Sequence, residues 1–345
     1  MEKNSKFETR SSPIFDRMRA YAKDLSIPQK YQEILRHFFE GYDEALRTNG
    51  MSIEDYSGLF LDYLDLIRNQ CIEPFVFQPY HERVRKPFDC YQFGIDILKP
   101  LIEMDKSTVL GVEHLQSINA SLEKGHNAIF LANHQTEADP QAISILLEKI
   151  APEYAEKLIF VAGERVITDP LAVPFSMGRN LLCIYSKRYI DVPPELKTQK
   201  QMHNKRTMQL MSELLSEGGK AIYVAPSGGR DRPNQDGIFE VADFDAQSIE
   251  MFYLMAERAG HPTSFYPLTL KTHELLPPPE TIQVELGEIR QAKRGKIHLA
   301  FGPEIDMEHF PGSEIADKRQ RREARADYIC GLVRKNYAQL AQQHS

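Results

Sequence analysis

Ile34, Leu35, Phe38, Phe39, Tyr42, Ala45 and Leu46 recur at the spacing of three and four that marks one face of a helix, and Asn49-Gly50 stops the run. The pattern predicts an amphipathic helix over residues 28–48. Ser52 then offers a cap for a second helix, in which Tyr56, Leu59, Phe60, Tyr63, Leu64 and Ile67 repeat the spacing. Two such neighbours joined by a short turn are expected to pack antiparallel, as a small N-terminal helical bundle. From Glu73 to Gly94 the periodicity is lost, and Pro74, Pro79 and Pro87 fall among aromatics, a composition suited to an ordered, extended connection. A domain boundary is expected there: a helical domain over 1–80, and a second domain over 81–345 that ends in a C-terminal helix.

Beyond residue 95 the pattern changes to short apolar runs alternating with longer helical ones. AIFLA (128–132), LIFVA (158–162), LLCIY (181–185), AIYVA (221–225), FYPLTL (265–270), IQVEL (282–286) and KIHLAF (296–301) all read as buried strands. Helical stretches such as 140–150 and 203–217 lie between them. The predicted fold is therefore α/β, a mixed sheet covered by helices on both faces. In such sheets, sites gather at the carboxyl ends of the strands.

Composition narrows the function classes. At 345 residues with 42% hydrophobic and 26% charged content, the chain can bury a sizeable core. Its cysteines, Cys71, Cys90, Cys183 and Cys330, form no Cys-x-x-Cys pair, so neither a zinc ribbon nor a disulfide framework is suggested, and a reducing compartment is expected. Residues 1–12 lack the apolar core of a secretory signal. No apolar run approaches the ~18 residues needed to span a bilayer, so any membrane contact is expected to be peripheral. A net charge of −7 argues against a nucleic-acid partner.

The candidate chemistry sits at the ends of predicted strands. His134 follows AIFLA by two residues, and Asp139 comes five residues later, where the chain turns toward a helix. The carboxylate can take one ring nitrogen and leave the other as a base. Equally, Asp139-Pro140 reads as a helix cap followed by a proline in the first turn, with His134 structural. Glu137 reads as a complement to that helix N-terminus. After AIYVA comes the loop APSGGRDRP (225–233), in which Gly228 and Gly229 permit a tight turn that projects Arg230 and Arg232. Two guanidinium groups so placed suit an anion such as phosphate, held by paired planar hydrogen bonds. The alternative is a surface turn in which Asp231 pairs with an arginine. No Gly-Lys-Ser/Thr follows the glycines, so a nucleotide-binding P-loop is excluded. Lys187 and Arg188, after LLCIY, add positive charge at a third strand end.

Taken together, Asn133-His134 with Asp139, Gly178-Arg179-Asn180 leading into Tyr185-Ser186-Lys187, the APSGGRDRP loop, and Tyr266-Pro267-Leu268 resemble the four ordered blocks of the glycerolipid acyltransferases. The third block is similar to that of the soluble glycerol-3-phosphate 1-O-acyltransferases of plant plastids and chlamydia-like bacteria. The resemblance spans about residues 80–310 and implies transfer of a fatty acyl group from an acyl-carrier-protein or CoA thioester to the 1-hydroxyl of sn-glycerol 3-phosphate, the first step of glycerophospholipid synthesis. It implies His134 as base and Asp139 as its carboxylate. It also implies Arg230, Arg232, Arg188 and Lys187 as phosphate-binding groups, with no metal or other cofactor. Where the plant enzymes carry Lys-His after Ser-Lys, this chain has Arg188-Tyr189, a phenol in place of an imidazole. The implied location is a bacterial cytoplasm or, as a processed form, a plastid stroma.

Other readings stay open at this point. The acceptor could be another glycerolipid such as lysophosphatidate. A metal-dependent hydrolase would use His134, Glu137 and Asp139 as ligands, and a lipid- or carrier-binding module would keep the fold without turnover. For the acidic carrier protein, Lys187, Arg188, Lys197, Lys200, Lys205 and Arg206 are expected to form a basic docking face. The basic run Lys318, Arg319, Arg321, Arg322 and Arg325 is expected to lie on a solvated face.

Overall fold

The computed structural model describes residues 12–186, 190–278 and 290–342. The first expected helix is Gln29–Arg47, and Gly50 closes it with a φ of 71° that a side chain would resist. Ser52 and Asp55 form a capping box on a short 3₁₀ turn, Ile53–Tyr56, which runs into the helix Ser57–Ile72. A helix over Pro13–Lys23, which the sequence reading passed over, packs against Ser57–Ile72 and is tied to it by Arg17 Nη1 on Asp65 at 2.6 Å. The proline-rich connection is extended only as far as Asp89. There Asp89 accepts from the Gln92 N–H at 2.9 Å and starts a helix at Cys90, so Cys90–Gly94 is helical and not part of the connection.

Ten strands are present among the described residues: β1 (Tyr80–His81), β2 (Thr108–Leu110), β3 (Asn127–Ala132), β4 (Ile159–Gly163), β5 (Asn180–Ile184), β6 (Ala221–Val224), β7 (Arg232–Pro233), β8 (Phe239–Glu240), β9 (Thr263–Lys271) and β10 (His298–Phe301). Eight of them form one sheet in the order β1-β5-β4-β6-β3-β9-β10-β2, and β7 and β8 form a separate hairpin. The five central strands from β5 to β9 are parallel, β1 runs antiparallel to β5 and β10 to β9, and β2 is parallel to β10. The sheet is thus mixed. The run 282–286 lies outside the described residues.

Side-chain alternation explains why both faces are covered. Along β3, Ala128, Phe130 and Ala132 enter one hydrophobic cluster, while Ile129 and Leu131 enter another. β6 divides in the same way, Ala221 and Tyr223 to the first face, Ile222 and Val224 to the second. The helices Cys90–Leu98, Val112–Glu123 and Asp139–Leu147 cover the first face, together with the N-terminal helices, whose Phe39, Phe60 and Tyr63 belong to the same cluster as Phe130. Tyr42 Oη donates to Ile97 O at 2.7 Å, and Tyr63 Oη to Leu171 O at 2.9 Å. The second face is covered by Lys197–Glu217, Ala246–Glu257 and the C-terminal helix Lys318–Gln342, through Met211, Phe252 and Ile329 among others. Because the central strands are parallel, their carboxyl ends share one edge, and the candidate residues gather there.

Of the expected basic face, one member of the 197–206 cluster is turned inward, while Lys187 and Arg188 lie outside the described residues. Lys200 is buried, with its ammonium 3.0 Å from Glu164 Oε1 and 2.7 Å from Val192 O. Lys197 pairs with Asp191 at 2.8 Å and Arg206 with Glu213 at 3.1 Å. The buried Lys200 holds its helix in place and cannot meet a partner, whereas Lys197, Lys205 and Arg206 are exposed. In the C-terminal run, Arg319 pairs with Glu323 on the exposed side, whereas Arg325 turns inward to Glu250 at 2.9 Å.

Candidate active site

β3 ends at Ala132, and six residues, 133–138, lead to the helix Asp139–Leu147 in a loop whose Asn133, Gln135 and Thr136 are buried and whose other three residues are half-buried. A buried loop must find partners for its backbone, and here side chains supply them. Asn133 clamps β3 to β9: its Nδ2 donates to Leu270 O at 2.9 Å and its Oδ1 accepts from Leu270 N at 2.8 Å. Its own carbonyl accepts from Tyr223 Oη at 2.8 Å. Gln135, equally buried, accepts on Oε1 from Thr272 N at 2.7 Å.

Asp139 is the centre of the loop. Its Oδ2 accepts from His134 Nδ1 and from Gln135 N, both at 2.8 Å. Its Oδ1 accepts from Thr272 Oγ1 at 2.6 Å and from Thr136 N at 3.2 Å. Ala138 is the cap residue, Asp139 opens the helix, and Pro140 follows in its first turn. Asp139 is therefore not the helix cap that the alternative reading made it; its carboxylate orders the preceding loop and holds the imidazole. With Nδ1 committed as donor, the lone pair of His134 lies on Nε2. Burial opposes charge on the ring, but the hydrogen bond and charge of Asp139, helped by Glu137, outweigh it, and the His134 pKa is raised. His273, also close to this loop, is pushed down to about 4 by burial and by Lys271, so it stays neutral near pH 7.

The glycine loop after β6 closes the site. Gly228 has a φ of 63°, whereas Gly229 does not need a left-handed backbone, so the turn depends on the first glycine alone. Asp231 is fully buried and does not pair with an arginine in a surface turn as the alternative reading held. Its Oδ2 accepts from Asn133 Nδ2 at 2.7 Å and Gln135 Nε2 at 3.2 Å, its Oδ1 accepts from Ala242 N at 3.0 Å, and its own N–H donates to His134 O at 2.7 Å. Burial raises its pKa, against the pull of these donors. Asp231 thus welds the arginine loop to the histidine loop. Arg230 donates to Glu137 Oε1, and Arg290 donates to the same oxygen. Arg232 stands on β7 opposite Glu240. Lys187, Arg188 and Tyr189 lie outside the described residues.

His134, Asp139, Glu137 and Arg230 are brought together as a strand-end site should be. Gln135, Thr272 and Arg290 were missed. Thr272 and His273 directly follow β9, so extending the strand-end rule to that strand would have found them. Arg290 follows the expected strand 282–286 by four residues, a strand end to which the rule was not carried. As a metal set, His134, Glu137 and Asp139 fit poorly, because Asp139 is enclosed by four donors and Glu137 faces two guanidinium groups.

A family profile described as Acyltransferase matches residues 107–271. The chain is 38% identical over 318 residues to the chloroplastic glycerol-3-phosphate acyltransferase ATS11 of Cucurbita moschata, a match covering 91% of this chain and 70% of the relative. It is 43% identical over 248 residues to ATS12 of the same plant, covering 72% of this chain and 54% of the relative. With the chloroplastic glycerol-3-phosphate acyltransferase of Spinacia oleracea it shares 39% identity over 283 residues, covering 81% of this chain and 60% of the relative. The chain thus spans less than two thirds of the length of the last two. Among solved structures it is similar to the 1-acyl-sn-glycerophosphate acyltransferase PlsC of Thermotoga maritima, at 18% identity and a TM-score of 0.40 over 73% of this chain and 78% of that one, a distance at which the likeness carries no argument. The profile spans both the histidine and the arginine loops, and with a relative 38% identical that is covered to 70% of its length the chain belongs to the glycerol-3-phosphate acyltransferases of the glycerolipid acyltransferase superfamily.

Proposed function

We propose that the protein transfers a fatty acyl group from a thioester to the sn-1 hydroxyl of glycerol 3-phosphate, giving 1-acyl-glycerol 3-phosphate. The observation that carries this reading is the His134 Nδ1 to Asp139 Oδ2 hydrogen bond of 2.8 Å, set on a strand end beside Arg230. His134 Nε2 takes the proton of the acceptor hydroxyl as its oxygen attacks the thioester carbonyl. The tetrahedral intermediate collapses, the carbon–sulfur bond breaks, and the imidazolium returns the proton to the departing thiolate. Asp139 holds the tautomer and stabilises the imidazolium between these steps. No residue of the enzyme is acylated, and no step calls for a metal or a further cofactor. Arg230 and Arg232 hold the phosphate, with Lys187 and Arg188 as further cations, so binding energy remote from the reaction places the hydroxyl.

The donor is acyl-carrier protein or acyl-CoA, and the chemistry at His134 is the same for either. The names of the relatives support a plastid stroma as the compartment over a bacterial cytoplasm. Among the described residues no helix is long and apolar enough to cross a membrane. Thiol release from acyl-CoA and from acyl-carrier protein, followed with glycerol 3-phosphate, lysophosphatidate or no acceptor, tests the reading. Release should depend on glycerol 3-phosphate and yield its 1-acyl ester. Release that follows lysophosphatidate alone would reassign the acceptor, and none with any acceptor would leave a binding module.

A further inference from the structure

Three of the four donors to Asp139 belong to its own loop: His134 Nδ1 and Gln135 N reach Oδ2, and Thr136 N reaches Oδ1 at 3.2 Å. The fourth comes from another element. Thr272, the first residue after β9 and 133 positions further along the chain, donates its hydroxyl to Oδ1 at 2.6 Å. Both residues are buried, each at 1% exposure, so the contact is made away from water. The backbone N–H of Thr272 has a separate task, donating to Gln135 Oε1 at 2.7 Å, and Asn133 ties the same loop to Leu270. Those bonds pin the loop, whereas among the described residues the Thr272 hydroxyl alone pins the carboxylate to the sheet. The other charged or titratable groups around the pair are Glu137 with Arg230 and Arg290, Asp231 after β6, Tyr223 in β6, His273 after β9, and Tyr337 of the C-terminal helix beside Gln135. None of them donates to Asp139.

We infer that Thr272 is a positioning residue for the base: its hydroxyl fixes the carboxylate of Asp139 to the end of β9 and takes up part of its charge, so that Oδ2 holds His134 in line without over-stabilising the imidazolium. The inference rests on the acyl-transfer reading above and adds a residue to it. A carboxylate away from water keeps its charge through the donors it is given. In the reaction the imidazolium must form and then give its proton to the thiolate, and an Asp139 short of one donor favours the first step at the expense of the second. Thr272 sits on the oxygen that does not face His134, so its loss should reach kcat and leave substrate binding alone.

The test uses the full chain. Thr272→Val keeps the shape and the backbone N–H and removes only the hydroxyl, Thr272→Ser keeps the hydroxyl, and Thr272→Ala stands in if the valine variant does not fold. Thiol release with glycerol 3-phosphate gives kcat and both KM values across pH. In Thr272→Val, kcat should fall roughly 10-fold, the lower end of what a hydrogen bond to a charged group is worth, with both KM values little changed. Serine should recover most of the loss. The acid limb of kcat/KM should move to higher pH in the valine variant, because the charge of Asp139 stays while a competing donor is gone. An unchanged kcat and limb in a folded valine or alanine variant would overturn the inference, as would an equal loss with serine or a limb that moves to lower pH. A wild type that releases no thiol with any acceptor would instead overturn the reaction reading itself, and this is seen before any variant is compared.

Discussion

At the scale of single residues the site depends on how few groups do several jobs. Asp139 accepts four hydrogen bonds, three of which fix the loop and one the imidazole. Changing it to asparagine replaces one acceptor oxygen by an NH₂ group facing donors, and removes the charge that raises the His134 pKa. A general base works only when deprotonated, so the acid limb of kcat/KM in the wild type should lie above the ~6.5 of an ordinary histidine. In Asp139→Asn that limb should move to lower pH, while the plateau falls on the order of 10²- to 10⁴-fold. A pH–rate profile of the two enzymes checks this, and a limb that stays put or moves up would mean that Asp139 does not govern the base. The raised pKa also makes protonated His134 stabilising below the unfolded-state value, a contribution lost as pH rises through the folded one. Residue types and spacing were enough to find His134, Asp139 and the arginine loop. They were not enough to find the role of Asp231, because nothing in Arg-Asp-Arg says that the middle side chain points inward to Asn133 and Gln135 while its neighbours point elsewhere.

Elements were legible where their hydrophobic pattern was long or wholly apolar. β3, β4, β5, β6 and β9 appear within a residue or two of the expected runs, since parallel strands buried on both faces must be apolar throughout. The short edge strands β1 and β2 carry only two and three residues and no alternation that a sequence can show. The C-terminal helix is mostly polar, with a thin inward stripe of Ala326, Ile329, Cys330 and Val333, and only its existence could be expected. Close approach of elements leaves its mark in glycine. A Cβ at Gly178, just before β5, would sit 2.4 Å from Cys90 O and 2.7 Å from Tyr91 N at the start of the helix Cys90–Leu98. Backbone cannot retreat as a side chain can, so Gly178→Ala should destabilise by roughly 1–3 kcal/mol. Gly229→Ala, whose Cβ meets open space, should cost far less. Urea denaturation of both variants gives the comparison, and equal midpoints would contradict this packing.

Over the whole molecule, two cores separated by the sheet hold the carboxyl edge of the strands in place. The helices before residue 80 share the first core with β3, through Phe39, Phe60 and Tyr63 on one side and Phe130 on the other. Heat should therefore unfold them with the sheet in one calorimetric transition, and two separable transitions would show that the helices stand on their own. Charge at this scale was poorly legible: the cluster over 197–206 reads as a surface in sequence, yet Lys200 is buried against Glu164, 36 residues earlier in the chain. Sequence gives the sign of a charge but not its partner. The edge carries the central claim, that His134 is the base of an acyl transfer. The most direct measurement is the rate of thiol release by His134→Ala with saturating donor and glycerol 3-phosphate, on protein shown by calorimetry still to bind glycerol 3-phosphate. Turnover should fall by about 10²–10⁴ with acceptor affinity largely kept; a variant that turns over at nearly the wild-type rate would make His134 a structural residue and contradict the mechanism.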